Sequence, residues 1–242
     1  MSLFDALADF LFPPRCPHCH AYVEQRGTWC EACLGQVLHP QLLTLYGEAA
    51  KVLGDAWAFG EYQGTLRNLI LQLKYQKKMH VLPQIRAFVR AGLPSMPQDV
   101  LESDIAVPVP LHASKRKSRG FNQVELIFKE ELAACGIPSA ELLKRTRATK
   151  PQYGLKAAAR RENIKDAFAW NPSESLACVR GKRVLLLDDI LTTGATLADC
   201  ASVLRKAGAR NVVALVLASD RSGMEEDEDE GTHRKGNGPL CR

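Results

Sequence analysis

Two groups of residues in this 242-residue chain have types and spacings that could do chemistry. The first is four cysteines, arranged Cys16-x2-Cys19-x10-Cys30-x2-Cys33. Two thiolates from one tight turn take two corners of a tetrahedron, and a second such pair completes it. The set predicts structural zinc, and four thiolates leave no open position, so a catalytic metal is not expected there. Disulfides are the alternative. The opening "MSLFDALADFLFPP" lacks the basic region and small-residue cleavage site of a secretory signal, so a cytoplasmic, reducing setting is expected and zinc is favoured. His18 and His20 flank the first pair and could replace a thiolate, but are expected to be exposed.

The second group is "LLLDDILTTGAT", Leu185 to Thr196, where an apolar run stops at two carboxylates and gives way to hydroxyls and a glycine. In a strand-loop-helix unit, Thr192, Thr193, Gly194, Ala195 and Thr196 fall where the first backbone N–H groups of a helix have no internal partner. Those donors and the positive helix end suit a phosphate, with Gly194 allowing close approach. Asp188 and Asp189 beside them are acceptors, suited to sugar hydroxyls or to Mg²⁺. Together the run describes a site for a 5′-phosphorylated ribose. A further anion site is expected at "SKRKSRGFNQ", where Lys115, Arg116, Lys117 and Arg119 lie between a strand end and a helix start.

The elements that must hold these groups are legible from periodicity. Leu66, Leu69, Ile70 and Leu73 repeat at helical spacing, as do Ile85, Phe88 and Val89, and Val124, Ile127, Phe128 and Leu132. Asn122 and Glu125 stand at capping-box spacing before the last of these, and Gly136 stops it. "AGLPSMP" reads as a loop, and Lys144 to Phe168 as basic and less periodic. Strands are expected over 55–62, 104–110, 182–189 and 211–219, with a helix from Ala195 to Gly208. Val184 to Leu187 and Val212 to Leu217 are apolar without alternation, as strands covered on both faces are. The alternation of strand and helix predicts an α/β fold with a largely parallel sheet flanked by helices, whose ligands sit at the carboxyl ends of the strands. Cys135 and Cys200 fall on apolar helix faces and read as core fillers.

With 46% hydrophobic and 24% charged residues, the chain is globular rather than disordered, and no apolar run reaches a membrane span. Leu3, Phe4, Leu7, Phe10 and Leu11 predict a short docked helix; its polar face lacks the lysines and arginines of a membrane-surface helix. The net charge of +5 is uneven. Glu225 to Glu230 carry −6 against Arg221, Arg234, Lys235 and Arg242, so residues 221–242 sum to −2 and the body carries +7. Three units follow: 1–45, a helix with a four-cysteine zinc-binding subdomain; 50–220, the main domain; and 221–242, an acidic tail read as disordered.

"VLLLDDILTTGAT" resembles the signature by which type I phosphoribosyltransferases bind 5-phosphoribosyl 1-pyrophosphate. Within that superfamily the chain resembles the ComF proteins, also called GntX or amidophosphoribosyltransferase-like. The matching stretches are the cysteine pairs, "LKY" at Leu73 to Tyr75, "VPVPL" at Val107 to Leu111, "RGFNQ" at Arg119 to Gln123, "PQYGL" at Pro151 to Leu155 and "RRENIKDAF" at Arg160 to Phe168. The resemblance implies that the main domain is phosphoribosyltransferase-like and that Lys115, Arg116 and Arg119 hold pyrophosphate. Lys74 and Arg160 or Arg161 would close over it, with Mg²⁺ accompanying the ligand. The generic reaction displaces pyrophosphate from ribose C1 through a charge-separated transition state. No general base or base-recognition segment stands out: Thr192 and Thr196 are poor bases, and Asp199 lies on a helix. Two functional classes follow. One is a phosphoribosyltransferase of unassigned acceptor. The other is a non-catalytic single-stranded-DNA-binding or regulatory module of the competence machinery, working with DNA-uptake proteins. The basic stretch Lys144 to Arg161 and Trp29 beside the knuckle are compatible with the latter.

Overall fold

A computed structural model of the chain describes residues 12–76, 78–147 and 166–220. In chain order its helices are α1 (Glu31–Val37), α2 (Gly47–Val52), α3 (Gly64–Tyr75), α4 (Leu82–Gly92), α5 (Gln98–Leu101), α6 (Ala113–Arg119), α7 (Gln123–Ala134) and α8 (Ala195–Lys206). The strands are β1 (Gln41–Leu42), β2 (Ala56–Glu61), β3 (Ile105–Pro108), β4 (Leu143–Arg145), β5 (Phe168–Trp170), β6 (Arg183–Leu191) and β7 (Asn211–Ser219). The main sheet has the order β1-β2-β7-β6-β3. Its four longer strands are mutually parallel and β1 adds an antiparallel edge. β4 and β5 form a separate antiparallel pair.

Each face of the sheet carries its own core. On one side the helical stripes expected from the sequence are buried: Leu66, Leu69, Ile70 and Leu73 of α3, Ile85 and Phe88 of α4, and Phe128 of α7 pack with Phe59. Burying each such side chain stabilises the fold by about 1.5–3 kcal/mol. On the other side Leu197, Cys200, Ala201 and Leu204 of α8 pack with Val184, Leu186 and Val216. Leu185 and Leu187 face the first core while Val184 and Leu186 face the second, which is why β6 is apolar without alternation.

The cysteine knuckle is part of the first core. Trp29 donates its indole N–H to the Gln84 carbonyl at 2.9 Å and lies 5.5 Å from the Phe88 ring. His18 Nδ1 meets the Thr65 hydroxyl at 2.8 Å, tying the knuckle to the first turn of α3. Elsewhere Glu131 of α7, buried, receives Arg86 Nε at 3.0 Å and Arg90 Nε at 2.8 Å, which fixes α4 against α7. Burial works to raise the Glu131 pKa, and the two guanidinium groups outweigh it and hold it below the carboxylate range.

Four expectations are corrected. "AGLPSMP" is not simply a loop: a 3₁₀ turn, Leu93–Ser95, and the short helix α5 form around it, with Pro94 tolerated at a helix start. The basic stretch after β3 is a helix, α6, because the His112 side chain caps Ser114 N and left-handed Gly120 stops the run (φ 85°). Glu125 does not complete a capping box; Asn122 caps Val124 N while Glu125 pairs with Lys129 at 3.0 Å. Cys135 is exposed rather than a core filler, since it lies at the C-cap beyond the buried stripe, whereas Cys200 is buried. The N-terminal helix and the acidic tail fall outside the described residues.

Candidate functional site

The four cysteine sulfurs lie within 4.8 Å of one another, with Cys19 and Cys30 at 3.7 Å. Thiols so crowded cannot all ionise unaided: burial and its three neighbours push Cys33 up to about 12. Four sulfur donors converging from two turns fit a tetrahedral zinc ion, which supplies the positive charge that lets them ionise together. His18 and His20 are exposed, and no fifth ligand joins the cluster among the described residues.

At the other site, β6 does not end at the carboxylates. It pairs with β7 through Ile190↔Ala218 and Leu191↔Ser219, so Asp188 and Asp189 lie inside the strand, ahead of the turn. The turn is only Thr192, Thr193 and Gly194. Gly194 is the N-cap of α8 in the left-handed region (φ 73°), and a Cβ there would stand 3.2 Å from Ala49 Cβ. The N-cap residue of α8 is a glycine and so supplies no side-chain cap of its own, and the backbone N–H groups of the first turn point toward the Thr192–Gly194 turn.

Adjacent strand positions project to opposite faces. Asp189 turns toward α3 and α7, where Lys74 Nζ donates to Oδ1 at 2.7 Å and Gln123 Nε2 to Oδ2 at 2.9 Å. Burial works to lower the Lys74 pKa, but the Asp189 carboxylate outweighs it and holds the ammonium above its ordinary range. Asp188 is set toward the α8 side, within electrostatic reach of Arg145 and Cys200. Loss of solvent, then the Asp189 charge, push its carboxyl up to about 7, against the pull of Lys74 and Arg145.

The structure therefore brings Lys74 to Asp189, and with it Gln123, which the spacing of charged residues did not single out. The signal was in "RGFNQ": two uncharged polar residues, Asn122 and Gln123, open a helix and are both buried. Arg116 is instead paired with Glu141 at 2.7 Å on α6. Lys115 is half-buried on the same helix. The Arg119 side chain and all of Arg160 and Arg161 lie outside the described residues. Asp199 is no free base: its carboxylate accepts backbone N–H bonds from Asp166, Ala167 and Phe168 at 2.9–3.3 Å, anchoring the start of β5 to α8.

Comparison with known proteins finds matches in both parts of the chain. Residues 7–43 match the double zinc ribbon domain and residues 138–234 the phosphoribosyl transferase domain. Over 213 residues the chain is 28% identical to competence protein F of Haemophilus influenzae, covering 85% of this chain and 84% of that one. Over 206 residues it is 29% identical to the DNA utilization protein YhgH of Salmonella typhimurium, covering 81% and 86%. Adenine phosphoribosyltransferase from Leishmania tarentolae superimposes over 81% of this chain and 91% of its own at 16% identity, with a TM-score of 0.40. No described helix is long and apolar enough to cross a membrane.

Proposed function

This chain is a ComF-type phosphoribosyltransferase-like protein, and we propose that it binds 5-phosphoribosyl 1-pyrophosphate or a nucleotide sharing its phosphoribose. The observation that carries the reading is one continuous segment: two carboxylates on β6, a three-residue turn, and an α8 N-terminus that begins at a left-handed glycine, Gly194. Thr192, Thr193, Gly194, Ala195 and Thr196 hold the 5′-phosphate through backbone N–H groups and hydroxyls. Asp188 and Asp189 accept from the ribose hydroxyls; a carboxylate oxygen already taking one hydrogen bond retains a second lone pair. Lys74 places positive charge beside Asp189, which lowers the repulsion an anionic ligand meets there. Lys115, Arg116, Arg119, Arg160 and Arg161 supply charge for the pyrophosphate, and Mg²⁺ would add further positive charge there.

The names of the relatives, a competence protein and a DNA utilization protein, support a role in DNA uptake; a cytoplasmic setting, with single-stranded DNA and uptake proteins as partners, belongs to the same proposal. No acceptor and no general base are assigned. Isothermal titration of 5-phosphoribosyl 1-pyrophosphate into the protein with Mg²⁺ tests the proposal. Saturable one-to-one binding that weakens when Mg²⁺ is chelated is expected; absence of heat at any ligand concentration below the millimolar range sinks the reading.

A further inference from the structure

We infer that Gln123 is a positioning residue that aims the Asp189 carboxylate at the ribose, an inference that rests on the phosphoribose reading above. Asp189 is buried, and donors from two separate helices reach its two oxygens: Lys74 from the end of α3 at 2.7 Å and Gln123 from the first position of α7 at 2.9 Å. The two do different work. An ammonium is a rotatable point charge that attracts a carboxylate without fixing its plane. A second donor on the other oxygen fixes the plane, and with it the direction of the lone pairs left for a ligand.

Gln123 is itself held in place. The neighbouring Asn122 uses both ends of its amide: Oδ1 accepts from Val124 N at 3.1 Å, and Nδ2 donates to the Val109 carbonyl at 3.1 Å, just beyond β3. The α7 N-terminus is thus pinned to the exit of β3, and the Glu131 cluster pins the same helix against α4. Gln123 is 4% exposed. A neutral amide at this point supplies aim without a second positive charge, so the carboxylate keeps its capacity to accept from hydroxyls. Hydroxyl recognition depends on donor and acceptor alignment, so a loss of aim is read directly as a loss of affinity for the sugar.

The test uses Gln123→Met, which fills a similar volume without a donor, and Gln123→Glu, which puts an acceptor against Asp189. Titrations with 5-phosphoribosyl 1-pyrophosphate, ribose 5-phosphate and inorganic pyrophosphate, each with Mg²⁺, are compared with wild type. The expected result is a loss of about tenfold in affinity for the two ribose ligands in Gln123→Met, a larger loss in Gln123→Glu, and unchanged pyrophosphate affinity. Equal weakening for all three ligands would show a packing role and overturn the inference, as would wild-type affinity in Gln123→Met. Failure of the wild-type protein itself to bind either ribose ligand would instead remove the phosphoribose reading, and the inference with it.

Discussion

Lys74 and Asp189 are 115 residues apart in the chain, and the ammonium of one lies 2.7 Å from the carboxylate of the other. Their side chains are only 15% and 7% exposed, so neither charge is well solvated. Removing one partner of such a pair strands the other, at a cost of about 3 kcal/mol or more. Lys74→Met should lower the unfolding free energy by that order in denaturant titrations. Adding Asp189→Leu should recover most of the loss; strictly additive losses would contradict the pairing.

The Asp188 carboxyl titrates at about 7 in the folded chain against an ordinary value of 3.8. Between those values the folded state binds more protons than the unfolded state. The contribution is therefore fully present below about pH 4 and is lost as pH rises through about 7. Asp188→Asn should flatten the decline of stability over that window. An identical pH profile for wild type and variant would show that the carboxyl is not displaced.

Zinc is expected at one ion per chain, measured by elemental analysis of purified protein. Cys33→Ser should lose the ion and, because Trp29 packs beside the knuckle against Phe88, shift tryptophan fluorescence toward that of an exposed indole. Stoichiometric zinc in the Cys33→Ser protein would show that the four sulfurs are not a single ligand set.

Gly194 combines a left-handed backbone with a close approach to Ala49. Gly194→Ala should cost about 1 kcal/mol or more in stability and weaken phosphate-ligand binding, because the added methyl strains the turn that presents the α8 N–H groups. Thermal unfolding with and without ribose 5-phosphate separates the two effects.

Much of this was legible in the sequence where a pattern repeats. The stripes Leu66, Leu69, Ile70, Leu73 and Ile85, Phe88, Val89 are the first core, and the Cys-x2-Cys pairs converge as their spacing requires. What periodicity could not show was decided by tertiary contact. β6 runs past Asp189 because β7 beside it continues to Ser219. Lys74 reads from the resemblance as a cation closing over pyrophosphate, and its pairing with Asp189 emerges only when α3 brings it onto the sheet. Gln123 carries no charge, so "RGFNQ" marks its position while its burial and its distance to Asp189 disclose its part in the site.

The central claim is that the segment from Asp188 to Thr196 holds a phosphoribose. Its most direct test is calorimetric titration of 5-phosphoribosyl 1-pyrophosphate with Mg²⁺ into the Asp188→Ala, Asp189→Ala double variant, alongside wild type and after circular dichroism shows the variant folded. The account predicts saturable binding by wild type and none by the variant; tight binding that survives in the folded double variant would contradict it.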